Sequence, residues 1–237
     1  MSPPERPPRA LELLQHGEIE VKGRMPWSSN GTYLVHLCLG EEEGAAIYKP
    51  LRGERPLWDY PSGLYRREVG VYAVSEALGW GLVPETVLRE DGPFGEGSLQ
   101  RFVTAHFQEH YFTLLERPEL HEMLRTICLF DLVVNNGDRK SGHCLLGEDG
   151  RIWAIDHGLC LHDGPKLRTV IWDFAGQPLP AERLDDVARL AVAPPPALST
   201  LLAPEEIDAL SARAASLVRR PVFPRVTSGR AYPWPLV

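Results

Sequence analysis

Apolar and polar positions along the chain change rhythm several times, and each rhythm predicts a kind of element. After a Pro/Arg-rich stretch at residues 1–9, expected to be flexible, Ala10 to Gln15 reads as a short helix that stops at Gly17. Three strand-like runs follow, at Glu18–Gly23, Thr32–Leu39 and Ala45–Lys49, and their turn-rich separators predict an antiparallel meander. From Tyr65 to Leu78 the period becomes helical through Val69, Tyr72, Ala73, Ala77 and Leu78, with Gly79 as the stop. Leu82–Leu88 and Gly97–Val103 return to strand patterning. The first half therefore predicts five strands around one helix.

The second half is helical in its pattern. An apolar helix over Glu119–Val134 ends at the polar loop that starts with Asn135, and that loop runs into two short strands, Cys144–Leu146 and Ile152–Ile155. Beyond them, amphipathic helices around Pro180 and Pro204 are broken by Pro194 to Pro196. An extended Pro/Trp-rich tail closes the chain, and the cost of exposing Tyr232 and Trp234 predicts that it docks on the core. The division that follows is a flexible segment at 1–9, an N-terminal lobe at 10–103 and a C-terminal lobe at 104–237.

Composition narrows the function. With 237 residues, 43% of them hydrophobic, the chain has material for a real core, which excludes a long disordered protein. A formal charge of −7 and the lack of a Lys/Arg block argue against a general nucleic-acid binder, since phosphate neutralisation needs clustered cations. No run approaches the roughly 18 apolar residues of a membrane span, and the N-terminus has no apolar signal core, so a cytoplasmic location is expected. Cys38, Cys128, Cys144 and Cys160 form no CxxC pair and read as reduced thiols. A zinc cluster from His143, Cys144, His157, Cys160 and His162 is awkward, because adjacent strand residues point to opposite faces.

The candidate chemistry lies at the ends of the predicted elements. Lys49 closes an apolar strand and Glu68 lies on the following helix, so an ion pair between them would fix an ammonium group; a solvated surface pair is the ordinary alternative. Asp138 precedes the predicted hairpin and Asp156 follows it. A hairpin returns the chain to its starting end, so the two carboxylates would face one cleft. Such a pair needs a cation between its members: a metal ion, Lys49 or Lys140. Two aspartates that merely serve strand-end turns are the plainer account.

The ordered set of Ser28 to Val35, Ile47 to Pro50, Val83 to Thr86, Asp131 to Arg139 and Ala154 to Gly158 resembles the phosphatidylinositol 3-/4-kinase branch of the protein-kinase-like superfamily. The likeness is greatest to type II phosphatidylinositol 4-kinases, and HipA-like kinases share the last two elements. The resemblance implies an α+β, two-lobed protein-kinase-like fold, with an antiparallel sheet and one helix in the N-lobe and a mainly helical C-lobe. It implies ATP and a divalent metal, Mg²⁺ or Mn²⁺, as cofactors. By position, Ser28, Ser29, Asn30 and Gly31 become the phosphate loop, Lys49 the phosphate contact and Glu68 its partner. Gln100, Arg101, Phe102 and Val103 become the adenine hinge, Asp138 the catalytic aspartate and Asp156 a metal ligand. Lys140 takes the place of a lysine that neutralises the transferring phosphoryl group.

One position departs from the family pattern. Where these kinases carry asparagine as a second metal ligand, this chain has His143, whose imidazole suits Mn²⁺ or Zn²⁺ better than Mg²⁺. The expected partners are a nucleotide and an unidentified hydroxyl acceptor: an inositol-like small molecule, a lipid headgroup or a protein Ser/Thr. Trp172 and Asp173 are candidates to stack on and hydrogen-bond a polyol, or else are structural. A nucleotide-binding pseudokinase is the alternative function, and a plain zinc-binding module is a third.

Overall fold

The structure, a computed structural model, describes residues 8–26, 28–226 and 231–236. Most of the segment expected to be flexible, residues 1–7, lies outside the described residues. The chain begins with α1 (Pro8–His16) and enters β1 (Glu18–Arg24), β2 (Tyr33–Leu39) and β3 (Glu42–Pro50). Helix α2 (Leu64–Leu78) separates this meander from β4 (Thr86–Arg89) and β5 (Gly97–Arg101). All five strands form one antiparallel sheet in the order β1-β2-β3-β5-β4. Alternation puts Val35, Leu37, Ala46, Tyr48, Val87 and Leu99 on one face, where they pack with Leu14 of α1. Lys49 points to the opposite face because it is out of phase with Tyr48.

Helix α2 stops at Gly79, whose φ of 69° is the left-handed conformation that glycine adopts at no steric cost. The strand expected from Leu82 starts only at Thr86. The amides of Leu82 and Val83 donate instead to Ser75 Oγ, at 3.1 and 3.4 Å, and Pro84 has no N–H to offer a ladder. The last expected strand ends at Arg101, and the chain then crosses to the second lobe.

That lobe contains α3 (Tyr111–Leu115), α4 (His121–Val134), the hairpin of β6 (Cys144–Leu146) and β7 (Ile152–Ala154), α5 (Leu184–Val192) and α6 (Pro204–Arg219). A single apolar cluster joins α4, the hairpin, α5 and α6 to the C-terminal half of α2. Five residues are too few for a periodic signal, so α3 was not legible in the pattern. The two-lobed kinase-like arrangement is thus present: an antiparallel sheet with α2 on one side of a cleft and a mainly helical lobe on the other.

The described part of the tail docks, as expected, but through its backbone. Ser141 N–H donates to Leu236 O at 2.8 Å and Thr169 N–H to Ala231 O at 3.0 Å, while the Trp234 side chain stays in solvent.

Candidate active site

Helix α4 ends at Asn135, whose φ of 54° lets the chain turn sharply into the loop that carries Asp138. Asparagine tolerates this region because its side chain bonds locally: Asn135 Nδ2 donates to His162 O and Gly164 O, and Oδ1 accepts from Lys166 N–H. Asn136 Nδ2 donates to Asp131 Oδ1 at 2.9 Å, and its Oδ1 accepts the Asp138 amide at 2.9 Å. The backbone of Asp138 is therefore held from within the loop.

Arg139 organises the rest. Its guanidinium is fully buried, contacts Asp131 at 2.8 to 3.1 Å, and donates to the carbonyls of His143 (3.1 Å) and Ile155 (2.9 Å). A third direction reaches His157 Nε2 at 2.9 Å. Burial, followed by the Arg139 charge, holds the His157 imidazole well below its ordinary range, so Nε2 is unprotonated and accepts from Arg139. One side chain thereby ties the loop before the hairpin to the loop after it. The motif residues Asp131, Arg139 and His157 gain a structural meaning that spacing alone did not give them.

Lys49 joins the lobes. Its Nζ donates to Glu68 Oε1 at 2.5 Å and to Asp156 Oδ1 at 2.8 Å, and the other Glu68 oxygen accepts the His157 amide at 3.0 Å. Burial opposes the charged ammonium, but Asp156 and Glu68 outweigh it and raise the Lys49 pKa above the usual lysine range. In turn, the Lys49 charge holds the Asp156 carboxyl far below the usual carboxylate range, against burial. Asp156 has a φ of 60°, a left-handed region that Asn and Asp visit more readily than other non-glycine residues, and its carboxylate is about half exposed to the cleft (49%). Strain of that kind persists where the surroundings over-determine the backbone, here through the Glu68–His157 bond.

Asp138, Lys140 and His143 complete the floor. Lys140 Nζ lies 3.4 Å from Asp138 Oδ2. Burial pushes the Asp138 carboxyl up to about 6, with Lys140 opposing the rise and Asp156 adding to it. Burial also pushes His143 down to about 4, so its ring is neutral near pH 7. His143 Nδ1 lies 3.4 Å from the Lys140 amide and 3.0 Å from the Asp138 carbonyl oxygen; the shorter contact requires an Nδ1–H, and that tautomer gives up the Lys140 bond. With the proton assigned there, Nε2 presents a lone pair to Asp156 Oδ2 at 3.3 Å. Two electron-rich atoms facing each other in a cleft match a cation placed between them. This donor set fits a divalent ion.

These groups line one cavity of about 760 Å³, within the range of small-molecule sites. Ser28, Ser29, Asn30 and Gly31 line it together with Lys49, Glu68, Asp138, Lys140, His143 and Asp156, and Pro235 of the tail closes one side. In the candidate phosphate loop, Gly31 N–H already donates to Gly53 O at 2.7 Å, and the backbones meet so closely that a Cβ on Gly31 would lie 2.8 Å from Gly53 Cα. Among the described residues, the amides of Ser29 and Asn30 have no acceptor, which makes them the loop's available donors.

Other candidate residues lie apart from the cavity. Gln100 Nε2 donates to Thr86 Oγ1 at 2.9 Å, Arg101 pairs with Glu85 and lies 4.8 Å from the Trp153 ring centroid, and Val103 packs with Ala105 and Trp153. Phe102 N–H donates to Ala45 O at 2.9 Å. Trp172 Nε1–H donates to Ala231 O and Asp173 accepts from Tyr111, so both make structural contacts. Cys144 and Cys160 are buried in the apolar core while His143 faces the cleft, so these residues form no zinc cluster.

The chain is similar to known proteins. A family model described as phosphatidylinositol 3- and 4-kinase matches residues 81–190. A curated relative, Protein Rv2133c of Mycobacterium tuberculosis, is 40% identical, and the match covers 94% of each chain. The chain belongs to the phosphatidylinositol 3- and 4-kinase-like family. Solved structures support the fold: the Helicobacter pylori proinflammatory kinase CtkA has a TM-score of 0.52 at 14% identity, covering 88% of this chain and 94% of that one. Hydra Fam20, solved with sugar, has a TM-score of 0.54 at 12% identity, covering 88% and 86%. No helix among the described residues is long and apolar enough to cross a membrane.

Proposed function

We propose that the chain is an ATP-dependent phosphotransferase that moves the γ-phosphoryl group of ATP to a hydroxyl acceptor. The observation that carries this reading is Lys49, held between Glu68 and Asp156 in a cavity that also contains Asp138. Phosphoryl transfer needs positioned charge more than covalent chemistry, and each charge has a residue. Lys49 and the amides of Ser29 and Asn30 hold phosphate oxygens. A divalent ion bound by Asp156 and His143 would neutralise charge on the phosphates. Asp138, with its carboxyl raised to about 6, accepts the proton of the attacking hydroxyl near neutral pH, and Lys140 balances charge on the transferring group.

The acceptor that best suits an open, polar cleft beside the tail is a small polyol or a protein hydroxyl. Hydra Fam20 was solved with sugar, which agrees with a polyol. A cytoplasmic location goes with this reading. The hinge assignment of Gln100 to Val103 rests on the family resemblance, and because the amides of Arg101 and Phe102 donate to Glu85 O and Ala45 O, it turns on the backbone of Val103.

The test is purified protein with ATP and each of Mg²⁺, Mn²⁺ and Ca²⁺, comparing nucleotide turnover and autophosphorylation between the parent and Asp156→Ala. Equal turnover in the two proteins would sink the enzyme reading. His143 favours one alternative, a pseudokinase in which the cleft binds nucleotide as a switch. That protein would be thermally stabilised by ATP without transferring phosphate.

A further inference from the structure

A second group of metal-ligating side chains lies outside the catalytic cleft. His36 and Cys38 sit two positions apart on β2, so both project from the same face of the sheet. Glu43 of β3 is in register with Cys38 and adds a carboxylate to that face. His36 Nδ1 lies 3.6 Å from Cys38 Sγ, and His36 Nε2 lies 3.5 Å from Glu43 Oε2. One ligand atom from each of the three residues falls within 4.8 Å of the others. Ligands at zinc bond lengths in a tetrahedron are separated by roughly 3.3–3.8 Å; the two short contacts use different nitrogens of the His36 ring, so one ion would need that ring or the Glu43 side chain to rotate until all three ligands close on it.

We propose that His36, Cys38 and Glu43 form a binding site for a thiophilic divalent cation, with Zn²⁺ the best match. The chemistry selects the ion: sulfur and imidazole nitrogen favour Zn²⁺, whereas Mg²⁺ and Ca²⁺ prefer sets made wholly of oxygen. The fourth position is open to water or to Glu18, which stands opposite Cys38 on β1 and has no partner among the described residues. Glu20, opposite His36, is already paired with Lys22 at 2.6 Å. The site is separate from the phosphate cleft. Glu43 and Lys49 belong to the same strand, but six positions of extended chain place them roughly 20 Å apart. Bound there, the cation would tie β2 to β3 at the outer end of the sheet face that carries Lys49.

The experiment uses the full chain, stripped with chelator and titrated with Zn²⁺, Mg²⁺ or Ca²⁺ by calorimetry, alongside Cys38→Ser, His36→Gln and Asp156→Ala. These first two side chains are not in the core, so circular dichroism should match the parent. The expected result is a Zn²⁺ event absent with Mg²⁺ and Ca²⁺, retained in Asp156→Ala, and weakened in Cys38→Ser and His36→Gln. Loss of a direct ligand should exceed the roughly 10- to 100-fold that an outer-shell partner costs. Co²⁺ supplies a second readout, because a sulfur-to-metal absorption band requires Cys38 and cannot arise at Asp156 and His143. Zn²⁺ affinity unchanged in Cys38→Ser, or no such band in the parent, would overturn the proposal. Both results are independent of whether the cleft transfers phosphate.

Discussion

Lys49 Nζ lies 2.8 Å from Asp156 Oδ1, joining a strand of the N-terminal sheet to the loop that leaves the C-terminal hairpin 107 positions later. The ion pair bridges the lobes across the cleft. It holds the ammonium group in the cavity where, on the proposed reading, phosphate oxygens would be gripped.

Removing the ammonium should therefore abolish phosphate transfer more than it unfolds the protein. Lys49→Met is expected to lower ATP turnover by at least about 100-fold, the scale for losing one preorganised charge. Circular dichroism should remain native, since Lys49 lies at the cleft and not in the apolar cluster. Turnover within a few-fold of the parent would contradict the assigned role.

Asp138 links chemistry to stability with a definite sign. Its carboxyl is raised from 3.8 to about 6, so the folded state binds a proton more readily than the unfolded chain. The carboxylate thus opposes folding by an amount fully present above about 6 and absent below about 4. A two-unit shift corresponds to at most about 3 kcal/mol. Asp138→Asn should therefore abolish transfer yet raise the melting temperature at pH 7.5 in chelator, and that gain should vanish near pH 4. A lower melting temperature at pH 7.5 would show that the carboxylate is stabilising instead.

Arg139 predicts the opposite behaviour. It is a fully buried charge whose main partner is Asp131, so Arg139→Leu leaves a carboxylate buried without its counter-ion. Such single removals cost about 3–5 kcal/mol. Urea unfolding should show this loss, and the double variant Arg139→Leu, Asp131→Leu should recover part of it. A single variant as stable as the parent would remove Arg139 from its organising role.

His143 predicts a metal preference. With Nε2 turned toward Asp156, turnover should be supported better by Mn²⁺ than by Mg²⁺. His143→Asn restores an oxygen donor and should shift the balance toward Mg²⁺. A metal titration of the parent that favours Mg²⁺ would count against imidazole as a ligand.

Much of the fold was legible because its signals are local. Strand alternation, the helical period of α2 and the stop at Gly79 depend on neighbours a few positions away, and β6 begins and ends where the pattern predicts. The fourth strand came out shorter, since Ser75 captures the amides of Leu82 and Val83 from a helix turn that no strand pattern records. Asp138 and Asp156 were legible as a pair because a hairpin must return the chain to its starting end.

By itself, then, the sequence determined the order of elements, the two lobes and the residue types of the cleft, all through short-range periodicity and turn chemistry. Only the tertiary structure decided how they engage. It gave Glu68 two duties, toward Lys49 and toward the His157 amide, and made Arg139 the tie between the two loops that flank the hairpin. It also placed Pro235 against the cavity and turned the side chains of Gln100 and Arg101 away from it. Those choices follow from packing between segments far apart in the chain, where burial and charge pairing select one arrangement among many that local patterns allow.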